Sequence, residues 1–314
     1  MTAVLLHPLW IIMISLSLMA DNQCWLTEKY SRGFDVENIP AVKKEESHMG
    51  LFDNLKKKKK KEVEPPEAGL FIAMVLLEEV SFDHEKFFHD LDSDWGIKPD
   101  STEQNPEDDV YSFMYDDMIV GVSLIRMPVP NDESVYLAKN NYYWPEAAEV
   151  VKRHKAHLLV SVMGHHAPCW PEASTMVRVV SSCCKQNGVI GVDANGTVYQ
   201  PEYYTECAAL FEQDLLPIQD LVWVGLIPTK KGVHIYTKGM ESFGRFDMEV
   251  MEWTGGLDEA VHFMYDIIIY AIDENITLHD GETIGLTADQ KYPITLSPCS
   301  WDSEKMTLKI KVQK

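Results

Sequence analysis

Residues 257–274 read Leu257-Asp258-Glu259-Ala260-Val261-His262-Phe263-Met264-Tyr265-Asp266-Ile267-Ile268-Ile269-Tyr270-Ala271-Ile272-Asp273-Glu274, and the chain then runs into Leu278-His279-Asp280-Gly281-Glu282-Thr283-Ile284-Gly285. Leu257, Ala260, Val261, Met264, Ile267, Ile268, Ala271 and Ile272 recur at the spacing of one helical stripe. Phe263, Ile269 and Tyr270 widen it, so the spacing predicts a helix buried on more than one side. Gly255-Gly256 break the chain before it, and Asp258 and Glu259 suit the positive end of the helix dipole. At roughly 1.5 Å per residue such a helix is about 27 Å long, enough to cross a bilayer. Asp258, Glu259, His262, Asp266 and Asp273 interrupt its apolar surface, which makes it a core helix of a water-soluble fold. Beyond it, Asp280-Gly281 signals a turn. Extended stretches are expected at 283–286, 292–296 and 306–312. In the last, Met306, Leu308, Ile310 and Val312 alternate with Thr307, Lys309 and Lys311, the period of a strand with one wet face.

Upstream the same alternation of helices and strands continues. An apolar run at 70–77 reads as a buried strand, 83–91 as a helix and 92–108 as a polar loop. Residues 110–115 and 118–127 form a hairpin around Asp116-Asp117. A helix opened by Pro145 covers 144–154, and 157–163 is a strand. The succession is β-α-β-β-α-β, the ferredoxin-like order. A second set follows: a helix at 171–186, a hairpin at 188–199 turning on Asn195-Gly196, a helix at 202–213, a hairpin at 221–237 and a strand at 246–253. The fold class is α+β, with mixed sheets and helices. Three segments are expected: a leader and Lys-rich linker at 1–67, a first lobe at 68–165 and a second lobe at 166–314.

The final helix, Asp280-Gly281-Glu282-Thr283-Ile284-Gly285 and Asp289-Gln290-Lys291-Tyr292-Pro293-Ile294-Thr295 resemble the bacterial family catalogued as domain of unknown function 4261. The likeness spans about 230–300 and is clearest after 255. Leu158-Leu159-Val160-Ser161-Val162-Met163-Gly164 and 188–199 look similar to upstream parts of the same proteins. That family has no assigned catalytic residues, so the resemblance implies kinship and carries no site residue over.

Net charge is −21 over 314 residues, unevenly spread. Residues 1–61 hold ten Lys or Arg against seven Asp or Glu, a net of +3, which leaves −24 on the remainder. A body of that charge repels nucleic acid. A basic protein is the better partner. Residues 4–20 are apolar but lack a basic start, and the texture changes abruptly at Met49. The reading is that Met49 is the natural start, with a signal peptide or membrane anchor at 1–20 as the alternative. Lys56 to Lys61 form a solvated run, or a weak surface tether with Leu51, Phe52 and Leu55; membrane contact is expected only through this leader. Of six cysteines, five lie in the body without regular spacing: Cys169, Cys183, Cys184, Cys207 and Cys299. That pattern points to reduced thiols and a cytoplasmic location.

No Walker-type phosphate loop, Gly-x-Gly-x-x-Gly, Gly-x-Ser-x-Gly, His-Glu-x-x-His or Cys-x-x-Cys occurs. No cofactor and no metal are therefore expected. His165-His166-Ala167-Pro168-Cys169 with Cys183 carries zinc-type ligands. A helix between the cysteines, at roughly 1.5 Å per residue, would hold them about 21 Å apart and prevent a shared ion. His165 and His166 remain candidate acid-base groups at a strand end. Asp280 and Glu282, with His279, Asp289 and Lys291, are the other candidates, since carboxylates beside a histidine can move protons. The structural reading of that turn is favoured over catalysis. The function expected is that of an acidic, non-catalytic interaction or accessory protein, in its sharper form an immunity-like inhibitor of a basic partner. The alternative is an enzyme with its site in the cleft between the lobes.

Overall fold

The computed structural model describes residues 63–105, 109–287 and 290–312. The readings placed on residues 1–62 and on Asp289 lie outside them. Residues 63–68 are exposed and irregular. At Gly69 the chain is pinned, its N–H donating to Ser242 O (3.0 Å) and its carbonyl accepting from Gly164 N (3.0 Å). A Cβ there would sit 2.4 Å from Gly164 O, and φ is +93°, so the close approach requires glycine.

Strand β1 (Leu70–Leu77) follows, then helix α1 (His84–Trp95). Asp83 caps α1 by accepting from Lys86 N at 3.0 Å, and Gly96 ends it in the left-handed region. Strands β2 (Ser101–Asn105), β3 (Val110–Tyr115) and β4 (Met118–Ile125) form a meander. Asp116 and Asp117 both take positive φ, the tight hairpin geometry. Two short helices, α2 (Glu133–Ala138) and α3 (Ala147–Val151), lead to β5 (Ala156–Met163) and the long helix α4 (Trp170–Cys184). A hairpin of β6 (Val189–Ala194) and β7 (Thr197–Tyr199) turns on Asn195-Gly196, both at positive φ as the dipeptide predicts. These strands make one seven-stranded sheet in the order β2-β3-β4-β5-β1-β6-β7.

The α+β class holds, but the ferredoxin-like arrangement does not. That arrangement places β1 between β4 and β5, which then run parallel to each other. Here β5 lies between β4 and β1 and pairs antiparallel with β4. The cause is the β4–β5 connection. Its helices are too short to cross the sheet and instead bury Ala138, Trp144, Ala147 and Val151 with Leu76 and Val198 in a separate small core. Helix 144–154 is cut to five residues because buried His154 turns the chain: its Nδ1 lies 2.5 Å from Val151 O and its Nε2 accepts from Val129 N at 2.9 Å. Strand β2 falls where a loop is expected, because Ser101-Thr102-Glu103-Gln104-Asn105 has no apolar alternation; it pairs antiparallel with β3. Sheet membership changes after Tyr199, later than the expected boundary at 165/166, since β6 pairs with β1.

The second sheet has the order β11-β12-β13-β10-β9-β8. It follows helix α5 (Pro201–Ala208) and the single turn α6 (Ile218–Leu221), and contains β8 (Trp223–Thr229), β9 (Gly232–Lys238), β10 (Met248–Trp253), β11 (Thr283–Ile284), β12 (Tyr292–Pro298) and β13 (Met306–Ile310). Helix α7 (Leu257–Asp273) packs on β8 and β9 and buries Ala260, Phe263, Met264, Ile267, Ile268 and Ile272 among others. Gly256 N donates to Glu259 Oε2 (3.3 Å) at its start. Its far end is held by one buried side chain. The Arg245 guanidinium donates to Ala271 O (3.1 Å), Ile276 O (2.9 Å) and Asn275 Oδ1 (3.0 Å), satisfying carbonyls that a helix end leaves open. One continuous apolar core joins α4, α5, α7 and the inner faces of both sheets. Among the described residues, no helix is long and apolar enough to cross a membrane.

Candidate functional site

The structure places the four sequence candidates in two separate settings. His166 follows β5, and its Nδ1 lies 2.9 Å from Glu172 Oε1; the same oxygen accepts from His166 N at 2.9 Å. Glu172 belongs to the first turn of α4 and is fully buried, and its Oε2 has no partner. The Glu172 carboxylate raises the His166 pKa. This is an imidazole oriented by a carboxylate, half of an acid-base pair. The neighbouring Cys169 thiol is engaged elsewhere: it donates to Ser242 O (3.6 Å), and burial pushes its pKa up. His165 is exposed beside it.

Asp280 and Glu282 serve their own turn. Glu282 Oε2 accepts from His279 N at 2.8 Å, and Asp280 Oδ1 accepts from Leu296 N at 2.9 Å, fastening the turn to β12. Ile294 N donates to Glu282 O (2.9 Å) in the same patch. Both side chains are exposed. Cys169 and Cys183 sit at opposite ends of α4, and all five body cysteines are free thiols. Among the described residues, no group of three His, Cys, Asp or Glu side chains could hold a metal ion.

A polar centre that sequence reading missed lies on β10. Glu249 is fully buried. Its carboxylate receives Ser300 N (3.2 Å), Ser300 Oγ (2.5 Å), Thr307 Oγ1 (2.5 Å) and Lys309 Nζ (3.0 Å), and His234 Nε2 lies 2.8 Å away. Burial pushes the carboxyl up, but these donors outweigh it and hold the group well below the usual range. Thr307 and Lys309 therefore occupy the supposed wet face of β13. Register puts Lys309 directly beside Glu249, and Ser300 closes over the pair. A carboxylate so saturated is a poor proton acceptor at neutral pH. Its role is to clamp the 299–305 connection onto the sheet. Only register could have exposed it in the sequence, since Glu249 reads as one polar residue in Met248-Glu249-Val250-Met251-Glu252-Trp253.

At the junction of the two sheets Asn141, Tyr143, Trp144, Gln200, Tyr203 and Trp223 line a slight depression with room for roughly one water molecule. None of His165, His166, Asp280 and Glu282, the groups expected in a cleft between the lobes, lines it. Its lining is aromatic and amide, without an acid or base. Beside it Asp220 is buried, and burial, only partly offset by the Cys207 thiol, raises its pKa well above that of an ordinary carboxyl.

Among the described residues, the outer face of the seven-stranded sheet presents aligned, exposed apolar side chains. Cross-strand register sets three rows there: Met114, Ile119, Met163 and Leu70; then Ser112, Gly121, Ser161 and Ile72; then Val110, Ser123, Leu159 and Met74. Leu70, Ile72, Val110, Ile119, Leu159 and Met163 are each 39–52% exposed. The small middle row forms a shallow trough. A Cβ at Gly121 would come within 2.9 Å of Ser161 Oγ, which would have to turn away. With strands about 4.8 Å apart and like-facing residues about 6.8 Å apart along each, the face measures roughly 14 Å by 14 Å. Asp116 and Asp117 stand exposed at the tip of the β3–β4 hairpin, next to the Ile119 row.

Residues 236–311 match the family model described as Domain of unknown function (DUF4261). The match covers well under half of the chain, takes in α7, the Asp280 turn and most of the Glu249 centre, and lies within the second sheet and its helix. No curated protein and no solved structure matches the chain.

Proposed function

We propose that this is a non-catalytic interaction protein that binds a basic protein partner through the open face of its seven-stranded sheet. The observation that carries the reading is the cross-strand alignment of Leu70, Met163 and Ile119, with Ile72 and Leu159 beside them, on an uncovered surface. Sheets bury their apolar faces, and an apolar patch with a polar rim marks an interaction site. The footprint is the size of an interface core rather than a whole interface, so the acidic surround must supply the rim. The charge of −24 on residues 62–314 selects a basic partner and speeds its encounter. An immunity-like inhibitor acting in a bacterial cytoplasm is the sharper form of this reading. The enzyme alternative draws less support. Beside its best acid-base pair, His166 with Glu172, the Cys169 thiol is bonded to Ser242 O, and the junction depression is lined by no His or carboxylate.

The test uses Ile72→Lys combined with Ile119→Lys, at positions 52% and 46% exposed, where a polar side chain leaves the core untouched. The partner captured by the wild-type protein in its source cells is purified and titrated against both proteins. The expected result is at least about a tenfold loss of affinity in the variant, with wild-type binding that weakens as salt rises. Equal affinity for the two proteins, with both folded, would remove the sheet face from the account.

A further inference from the structure

Leu70 is the first residue of β1 and also a corner of the open sheet face, where it aligns with Met163 and, across β5, with Ile119. The chain therefore enters the fold at the edge of that face, and it enters at the acidic end. Asp116 and Asp117 turn the β3–β4 hairpin just beyond the Ile119 row, and Asp100 joins them by accepting from Asp116 N at 3.1 Å. All three carboxylates are exposed. Two strand spacings, about 10 Å, separate β4 from β1. On the face itself Ser112, Gly121 and Ser161 leave a trough between two rows of larger apolar side chains.

The sequence ahead of β1 has the complementary chemistry. Leu51, Phe52 and Leu55 are large and apolar, and Lys56 to Lys61 follow them without interruption. Phe52 is the single aromatic residue between Met49 and Ala68. A flat ring suits a trough floored by glycine and serine, and six ammonium groups suit the three carboxylates of the hairpin tip and a body of −24. The order along the chain matches the order across the face. With the apolar cluster over the trough, the lysines come next on the way back to Leu70, at the acidic end. Reach is ample: counted only from Leu55 to Pro66, where the chain already runs past Gly244, it is roughly 36 Å at about 3.3 Å per residue, against a face of roughly 14 Å. A tether this short gives the segment an effective concentration on the order of millimolar, so contacts too weak to hold a free peptide suffice.

We propose that Leu51, Phe52 and Leu55 dock on the open face of the seven-stranded sheet, with Lys56 to Lys61 over the Asp100, Asp116 and Asp117 tip. The chain thus covers its own binding surface with a basic, apolar segment, and an outside partner must displace it. This rests on the reading of that face as the partner site and adds its regulation.

The test uses the purified full-length protein with benzoylphenylalanine in place of Phe52. It is irradiated at low concentration, digested, and its cross-linked peptides are mapped by mass spectrometry. The expected result is an adduct within one chain, on residues 110–123 or 159–163, with a yield that falls as salt rises. Adding Ile72→Lys and Ile119→Lys should cut that yield at least about fivefold, because both lie on the face the segment would cover. Adducts scattered over the surface, adducts only between chains, or none at all would overturn the proposal; those between chains would make a second copy the occupant. If the double variant does not fold, the map and the salt response of the otherwise unaltered protein decide alone. Scattered adducts beside partner binding that the sheet-face variants weaken would remove this inference alone. A mapped adduct beside partner binding that those variants leave unchanged would remove the partner reading alone.

Discussion

Replacing Glu249 by glutamine removes one negative charge and leaves every atom of the shape. The amide then has one acceptor oxygen where the carboxylate had two, and its N–H groups confront Ser300 Oγ and His234 Nε2 or Thr307 Oγ1 and Lys309 Nζ, depending on how it turns. Either way the Lys309 ammonium loses its counter-charge, and His234 its carboxylate neighbour, in a site with no exposed carboxylate surface. Removing one partner of a buried charged pair costs about 3–5 kcal/mol, far more than the ~0–1 kcal/mol of an exposed pair. The assay is equilibrium unfolding in urea at neutral pH, where a shifted midpoint with an unchanged slope reports stability alone. In a domain of this size the same loss lowers the melting temperature by about 6–20 °C. Thr307→Val, which deletes one of the hydrogen bonds and keeps the charge, should cost about 1–2 kcal/mol. A cost below about 1 kcal/mol for Glu249→Gln would refute the clamp, because it would mean that water or another donor already serves the site.

Two further outcomes follow from the same contacts. Ile268→Ala should cost about 2–5 kcal/mol by urea unfolding, since Ile268 is fully buried on α7, whereas Glu282→Gln should cost under about 0.5 kcal/mol because its exposed carboxylate bonds only within its own turn. Asp193 is buried against Ser134, and burial raises its carboxyl to about 6. Its folded pKa exceeds the unfolded one, so its contribution is full below about pH 4 and is lost as pH rises toward 6, on the order of 2–3 kcal/mol. Glu249 runs oppositely, contributing above the unfolded carboxylate range and losing its effect as pH falls. Asp193→Asn should therefore flatten the decline in melting temperature between about pH 4 and 7; an unchanged profile would contradict the assignment.

Local signals in the sequence located most elements because their causes are local. The stripe of α7 and the Asn195-Gly196 and Asp116-Asp117 turns act within a few residues, and they stand where periodicity and turn chemistry put them. Strand order did not follow, because it depends on which strand β5 meets. That is decided by His154 and Trp144 folding the β4–β5 connection into its own small core. The Glu249 centre was invisible for a related reason: Glu249, Ser300 and Lys309 are distant in sequence and meet through a parallel register. Asp280 and Glu282 were legible as a turn, and the structure gives them turn-making bonds. His166 was legible as a residue of interest, but its partner Glu172 was not, since it reads as an ordinary first-turn acid of α4. The open sheet face was hidden inside apolar runs such as Leu70-Phe71-Ile72-Ala73-Met74-Val75, where alternation between core and surface leaves no polar mark.

The central claim is that the outer face of the seven-stranded sheet is the binding surface. A photoreactive amino acid placed at Ile72 or Ile119, and as a control at Glu274 beyond the end of α7, tests it inside the source cells. The account expects one basic protein cross-linked from both sheet positions and none from 274. Adducts that are absent at 72 and 119, or identical at all three positions, would contradict it.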